Sequence, residues 1–187
     1  MMCDANSCYF AISNERRDKF VMSYTTTNTF TNLVNQFRGL DVDQQLALFW
    51  FIYTEMGDSI TPAAPSASTV SPEVAQGLFN QVEQMSQEEQ LQLQRDLITR
   101  KNTLIGREYG ALSDTTKLLF WYFLAQGMSK GSVVQVPQGY ELSNEAQSLF
   151  QEIKKLDFGE QITLFRDYVA PMGVDPNAVE HDANTGL

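Results

Sequence analysis

A chain of 187 residues, 43% hydrophobic and carrying a net charge of -10, suits one substantial domain or two small lobes sharing a core. That acidity excludes nucleic acid and anionic membrane surfaces as partners, since both demand clustered Lys and Arg. No apolar run approaches the roughly 20 residues of a membrane span. The start, Met1 to Cys8, lacks the basic and apolar segments of a signal peptide, so a cytoplasmic protein is expected.

In chain order, residues 1–30 read as a polar N-terminal arm. Its two cysteines, Cys3 and Cys8, are either reduced thiols or partners in an intermolecular disulfide. The stretch from Thr31 to Arg38 predicts a short helix presenting Leu33, Val34 and Phe37 and ending near Gly39. A longer helix is expected over Val42–Met56, where Leu46, Trp50 and Tyr53 recur at helical spacing and Gly57 supplies a stop. Thr61 to Ser68 is a Pro-rich connector. Ser71-Pro72-Glu73 predicts a helix start, with Val74, Leu78, Val82 and Met85 along one face. Ser86 to Glu89 has the form of a capping box and opens a helix through about Arg100.

A helix then follows Ser113-Asp114 to about Met128. Gly131 to Gly139 is an extended loop, Ser143 opens a helix to Leu156, and Gly159 precedes one ending near Val169. Pro171, Gly173 and Pro176 close the fold, and residues 174–187, which include the lone His181, form a C-terminal tail. The fold class is all-α.

The second half repeats the first at an offset of 71 positions. Phe49-Trp50 returns as Phe120-Trp121, Leu78-Phe79 as Leu149-Phe150, Glu89-Gln90 as Glu160-Gln161 and Arg95-Asp96 as Arg166-Asp167. Residues 41–100 align with 112–171 without a gap, which reads as an internal duplication. Two copies point to two helical halves closing on each other.

No phosphate loop, metal-binding His pair, CxxC pair or nucleophile elbow is present, and one tail histidine leaves no base for a Ser or Cys nucleophile. An enzyme is not expected. Carboxylates such as Glu88, Glu89 and Glu152 read as solvated helix faces. Arg107 and Tyr109 could form a polar site, but nothing nearby demands one.

An aromatic stripe at helical spacing is ordinarily core. The repeat adds that Trp50 and Trp121 are equivalent, so a pseudo-twofold axis would bring their indoles face to face. Leu46, Tyr53, Met85, Leu118, Tyr122 and Met172 supply apolar surface for a long slot, and a helix of about 16 residues spans roughly 24 Å, close to the reach of an extended polyene.

Gln45 to Gly57, Lys117 to Tyr122, Val136 to Leu142 and Gly159 to Gly173 resemble the N-terminal domain of the cyanobacterial orange carotenoid protein, in consistent order from Leu40 to Gly173. The chain resembles the paralogues that consist of that domain alone, the helical carotenoid proteins. The resemblance implies two interleaved four-helix bundles over residues 31–173, enclosing a ketocarotenoid such as canthaxanthin or echinenone. It implies that Trp50 and Trp121 sandwich one end ring, that Leu46, Tyr53, Leu118, Tyr122, Thr163 and Met172 line the tunnel, and that Met85, Val136 and Pro137 lie beside it. Arg166 matches the family's docking arginine and is expected to be exposed. The chain departs from the family pattern at Gln94, where methionine is common, and at Thr115, where asparagine is common.

The function implied is photoprotective light absorption and quenching, of singlet oxygen or of phycobilisome excitation, by a monomer or weak dimer. Its partners would be the carotenoid, with the phycobilisome or a carotenoid-delivering homologue of the absent second domain. The implied location is the cytoplasm, at the phycobilisome or thylakoid surface. Two other readings stand beside it: a colourless helical adaptor, and an isoprenoid-lipid carrier.

Overall fold

The computed structural model describes residues 30–57 and 72–177. The expectations for the arm, Cys3, Cys8, the Pro-rich connector, the Ser71 cap and His181 lie outside the described residues. Within them there are eight helices and no strand: α1 (30–39), α2 (Val42–Met56), α3 (Pro72–Glu83), α4 (Gln87–Ile98), α5 (Leu104–Gly110), α6 (Asp114–Lys130), α7 (Asn144–Ile153) and α8 (Phe158–Val169). The all-α expectation holds.

Local chemistry sets most of these boundaries. Asp41, Ser86, Thr103, Ser113, Ser143 and Asp157 each accept a first-turn backbone N–H, satisfying donors that a helix start otherwise leaves open. The duplication is visible atom by atom in the caps. Ser86 and Glu89 form a reciprocal capping box, and so do Asp157 and Glu160 at the equivalent positions. The Gln90 side chain donates to the carbonyls of Val82 at 3.2 Å and Met85 at 3.4 Å. Its repeat mate Gln161 donates to Ile153 at 3.2 Å and Leu156 at 3.1 Å, every atom 71 positions on.

The halves are interleaved rather than side by side. Within a half, α2 packs on α4 and α6 on α8; across halves, α3 packs on α6 and α2 on α7. The Phe37 ring of α1 stacks on Tyr168 of α8 with centroids 4.0 Å apart, another crossing contact. Apolar residues fully withdrawn from water, among them Leu48, Val82, Phe120, Leu149 and Leu164, each contribute roughly 1.5–3 kcal/mol through burial.

Three boundaries differ from the sequence reading. Helix α4 ends at Ile98, and the chain turns through Arg100 at φ 57°. Helix α6 continues to Lys130 and stops on Gly131 at φ 81°, a left-handed conformation that glycine adopts without the strain other residues incur. Helix α7 ends at Ile153, three residues early.

Helix α5 is the element the sequence reading left out. It sits where the repeat places α1, Leu104 matching Leu33 and Gly110 matching Gly39. It is short, holds two poor helix formers in Gly106 and Gly110, and leaves Leu104 62% exposed, so no apolar periodicity marks it. The glycines serve packing instead. A Cβ on Gly110 would overlap the Val174 carbonyl, and the Val174 N–H donates to the Gly106 carbonyl at 2.9 Å, so the chain after α8 lies directly on α5.

Candidate functional site

Helices α2 and α6 carry the repeated aromatic segments, and their packing with α8 leaves an apolar slot between them. Positions three and four apart share a helix face, so α2 contributes Leu46, Phe49, Trp50, Tyr53 and Met56, while α6 contributes Leu118, Trp121, Tyr122, Leu124, Ala125 and Met128. Gln94 of α4 and Ile162 and Phe165 of α8 complete this first chamber. A second chamber continues along α2 past Leu46, Gln94 and Met128, which wall both. Its remaining walls include Ala47, Leu91, Val134, Val136 and Pro137, with Asp43, Arg95 and Tyr140 also lining it. The open volumes are about 80 Å³ and about 210 Å³, so the walls stand close together.

The loop 131–139 is held against the second chamber by Gln90, a buried amide. Its carbonyl oxygen accepts from the Val134 N–H at 2.7 Å and its amide donates to the Ser132 carbonyl at 3.0 Å. The loop expected to be extended is thus a fixed wall.

The two tryptophans line one chamber but are anchored differently. Trp121 is 8% exposed; its indole N–H donates to the Tyr109 hydroxyl at 2.9 Å, and that hydroxyl donates to the Val169 carbonyl at 3.2 Å. Burial pushes the Tyr109 phenol well above its ordinary pKa, keeping it a neutral donor and acceptor. Phe49 packs on Trp121 with centroids 5.0 Å apart. Trp50 is half-buried and stacks on Tyr53 at 5.8 Å, and Tyr53 meets Tyr122 edge-on at 6.3 Å. Among the described residues no ring contact joins the two indoles, which line one chamber from α2 and from α6.

Of the residues expected at the site, Leu46, Trp50, Tyr53, Leu118, Trp121 and Tyr122 line the first chamber and Val136 and Pro137 the second. Three lie elsewhere. Thr163 is exposed on α8, its hydroxyl donating to the Gly159 carbonyl at 2.9 Å, because the next residue after Ile162 is turned about 100° off the slot face. Met85 lies in the turn between α3 and α4, packed against the core. Met172 is buried beyond the end of α8. Neither methionine lines a chamber. Arg166 is half-buried rather than exposed, and its Nε is buried without a hydrogen-bond partner.

Sequence reasoning passed over Phe49, Met56, Met128, Ile162 and Phe165, and marked Gln94 only as a departure from the family pattern. The helical faces already named pointed to the first five. Gln94 gave no such signal, since α4 reads as a polar helix and buries this amide only through tertiary packing, at 4% exposure. At the rim of the second chamber, Arg95 grips Asp43 through two parallel bonds of 2.7 Å. The pairing lowers the Asp43 pKa and raises that of Arg95.

A family model described as orange carotenoid protein, N-terminal, matches residues 23–175. The chain belongs to this family. An orange carotenoid-binding domain-containing protein of Nostoc sp. is 49% identical over 153 residues, covering 82% of this chain and 88% of that relative. The orange carotenoid-binding protein of Limnospira maxima is 40% identical over 142 residues, covering 76% of this chain but 44% of the relative, so the chain spans less than half of that longer protein. Among solved structures, the red carotenoid protein of Anabaena (Nostoc) sp. binding canthaxanthin matches with TM-score 0.71 and 57% identity, over 78% of this chain and 99% of that one. The orange carotenoid protein of the same organism binding canthaxanthin matches with TM-score 0.72 and 39% identity, over 80% of this chain and 48% of that one. The all-helical, orange-carotenoid-type fold is therefore family architecture. Among the described residues no helix is long and apolar enough to cross a membrane, and no cluster of metal-ligating side chains is present.

Proposed function

We propose that this protein holds a ketocarotenoid, such as canthaxanthin or echinenone, along the two-chambered slot and serves in photoprotection without bond chemistry. The observation carrying this reading is the continuous apolar and aromatic wall from Met56 to Val136 and Pro137. From Asp43 to Met56 it follows α2 for about 20 Å at 1.5 Å per residue, a shape suited to a rod rather than a compact ligand. Relatives whose solved structures bind canthaxanthin support the same reading.

The chambers are smaller than the roughly 300–1,000 Å³ usual for ligand sites, so binding spreads the walls. Met56 and Met128 are unbranched and repack at low cost. Apolar burial then supplies affinity at roughly 25 cal/mol per Å². Trp121, fixed by Tyr109, orients one end ring, and Trp50 closes over it from α2. Leu46, Tyr53, Leu118 and Tyr122 complete that chamber. Met85 and Met172 support the walls from behind, and Thr163, facing outward, makes no ring contact. The bound pigment supplies absorption and the return of energy as heat. Its targets are singlet oxygen and phycobilisome excitation, in the cytoplasm at the antenna surface.

Arg166 serves docking. The Arg166 side chain is half-buried, and the part of its guanidinium that reaches solvent would form a charge-assisted bond with an acidic surface, which suits the antenna or a carotenoid-delivering homologue. Arg166→Leu should leave folding intact and weaken phycobilisome fluorescence quenching severalfold; unchanged quenching would rule the docking role out.

The central test is expression in a ketocarotenoid-producing host, followed by size-exclusion chromatography with visible detection. A carotenoid band co-eluting with the protein and shifted from that of the free pigment is the expected result. A well-folded but colourless protein would sink the reading in favour of an adaptor.

A further inference from the structure

The rim of the second chamber carries polar chemistry that the apolar slot does not explain. Arg95 spends Nε and one Nη2 proton on Asp43, leaving Nη1 and the other Nη2 proton uncommitted among the described residues. Tyr140 accepts from the Gln44 amide at 3.0 Å, so its own hydroxyl proton is free. Gln44 is fixed in turn, accepting from the Ser143 N–H at 2.8 Å. The ion pair holds α2 to α4, the Gln44 bonds hold α2 to the segment before α7, and Arg95 and Tyr140 both wall the chamber. The result is an apolar pocket with two preset hydrogen-bond donors at its edge.

Resting on the pigment reading above, we infer that Arg95 and Tyr140 determine specificity by donating to an oxygen on the end ring lodged in the second chamber, so that the protein selects oxygen-bearing rings over hydrocarbon ones. The chemistry is asymmetric. A carbonyl on the ring accepts from either donor, replacing the water that these groups lose as the chamber fills. An all-hydrocarbon ring covers the same donors and returns nothing, which leaves polar groups desolvated and unpaired. In the first chamber the Trp121 N–H is spent on Tyr109, and the Tyr122 hydroxyl, which accepts from Gln126 at 2.8 Å, keeps its proton, but among the described residues no charged donor lines that chamber.

The test is competition. The full apoprotein is incubated with an equimolar mixture of canthaxanthin, the diketone, and β-carotene, the parent hydrocarbon. Pigment co-eluting with protein is then extracted and quantified. The wild type should enrich the diketone roughly fivefold or more, the worth of one such hydrogen bond. Arg95→Gln and Tyr140→Phe should each move the ratio towards one while pigment is still taken up. The ratio is insensitive to a general loss of binding, and Tyr140→Phe keeps the ion pair, so the test survives if Arg95→Gln folds poorly. Equal uptake by the wild type, or an unchanged ratio in both variants, overturns the inference. Uptake of neither pigment by the wild type overturns the carotenoid reading itself and this inference with it.

Discussion

The two halves share a plan and differ where it matters. In the first, Asp43 and Arg95 close a bidentate ion pair between α2 and α4. Their repeat mates are Asp114 and Arg166, and there Arg166 keeps a buried Nε with no partner. Leu46 lines the slot, whereas its mate Lys117 turns away, donating to the carbonyls of Ala170 at 2.6 Å and Met172 at 3.3 Å, where a cation suits a helix C-terminus. Trp50 is half-buried; Trp121 is locked by Tyr109, a residue that stands as Arg38 in the first half. The second half is thus the rigid wall, and the first is the wall that can move. Duplication supplied two equal surfaces, and divergence gave them separate tasks.

Breaking the rigid wall should have the largest effect. Trp121→Leu removes buried ring area and leaves the Tyr109 hydroxyl without its donor, an expected loss of about 2–4 kcal/mol. Trp50→Leu should lose under about 1.5 kcal/mol, because its ring already meets water. Chemical denaturation of the two apoproteins reads the difference; equal losses would remove the distinction between a fixed and an adaptable wall. Tyr109→Phe isolates the polar relay, since it keeps the ring and deletes one oxygen. It leaves the Trp121 N–H unpaired in the interior, while the Val169 carbonyl keeps the Met172 N–H at 3.1 Å, with an expected loss of about 1–3 kcal/mol. A loss below about 0.5 kcal/mol would mean that the relay does not hold the indole.

What the sequence disclosed follows from what periodicity encodes. Apolar residues on α2 and α6 recur at helical spacing, and caps such as Ser86 and Asp157 are local signals, so the helices and the slot-facing aromatics were legible. The 71-residue repeat named Trp50 and Trp121 as equivalents. It could also have placed α5, as the mate of α1, but Gly106 and Gly110 erase the apolar pattern there. Residues whose role depends on contacts distant in sequence were not legible. Tyr109 meets Val169, 60 positions away, and Gln94, which the resemblance marked but periodicity did not, becomes a wall only once α2 and α6 pack over it. Thr163 lies on the exposed face of α8, away from the two chambers, and a position carried across by resemblance does not reveal which face it occupies. Arg166 was expected to be exposed because the resemblance made it a docking residue, whereas the packing of α8 on its own half buries part of the side chain.

The smallest effect belongs to the ion pair that one half has and the other lacks. Both of its side chains are more than a third exposed, at 37% for Arg95 and 43% for Asp43, so solvent screens the pair and its contribution should be about 0.2–1 kcal/mol. Its sign against pH follows from Asp43. Hydrogen bonding to Arg95 lowers its folded pKa below the ordinary 3.8. The unfolded chain therefore binds the proton first, and the pair's stabilisation is present above that value and lost as pH falls through the depressed folded pKa. Asp43→Asn should be less stable than the wild type at pH 7 and indistinguishable from it in acid below the folded pKa. For contrast, Arg166→Met in the open half should change stability by under about 0.5 kcal/mol in either direction, since no bond to its Nε is lost and a guanidinium left partly desolvated is removed. Urea midpoints measured at pH 7 and at successively lower pH from 3.8 downwards decide the matter. A gap for Asp43→Asn that persisted undiminished into acid below the folded pKa would mean that the Asp43 side chain does not stabilise the fold through its ionised pairing with Arg95.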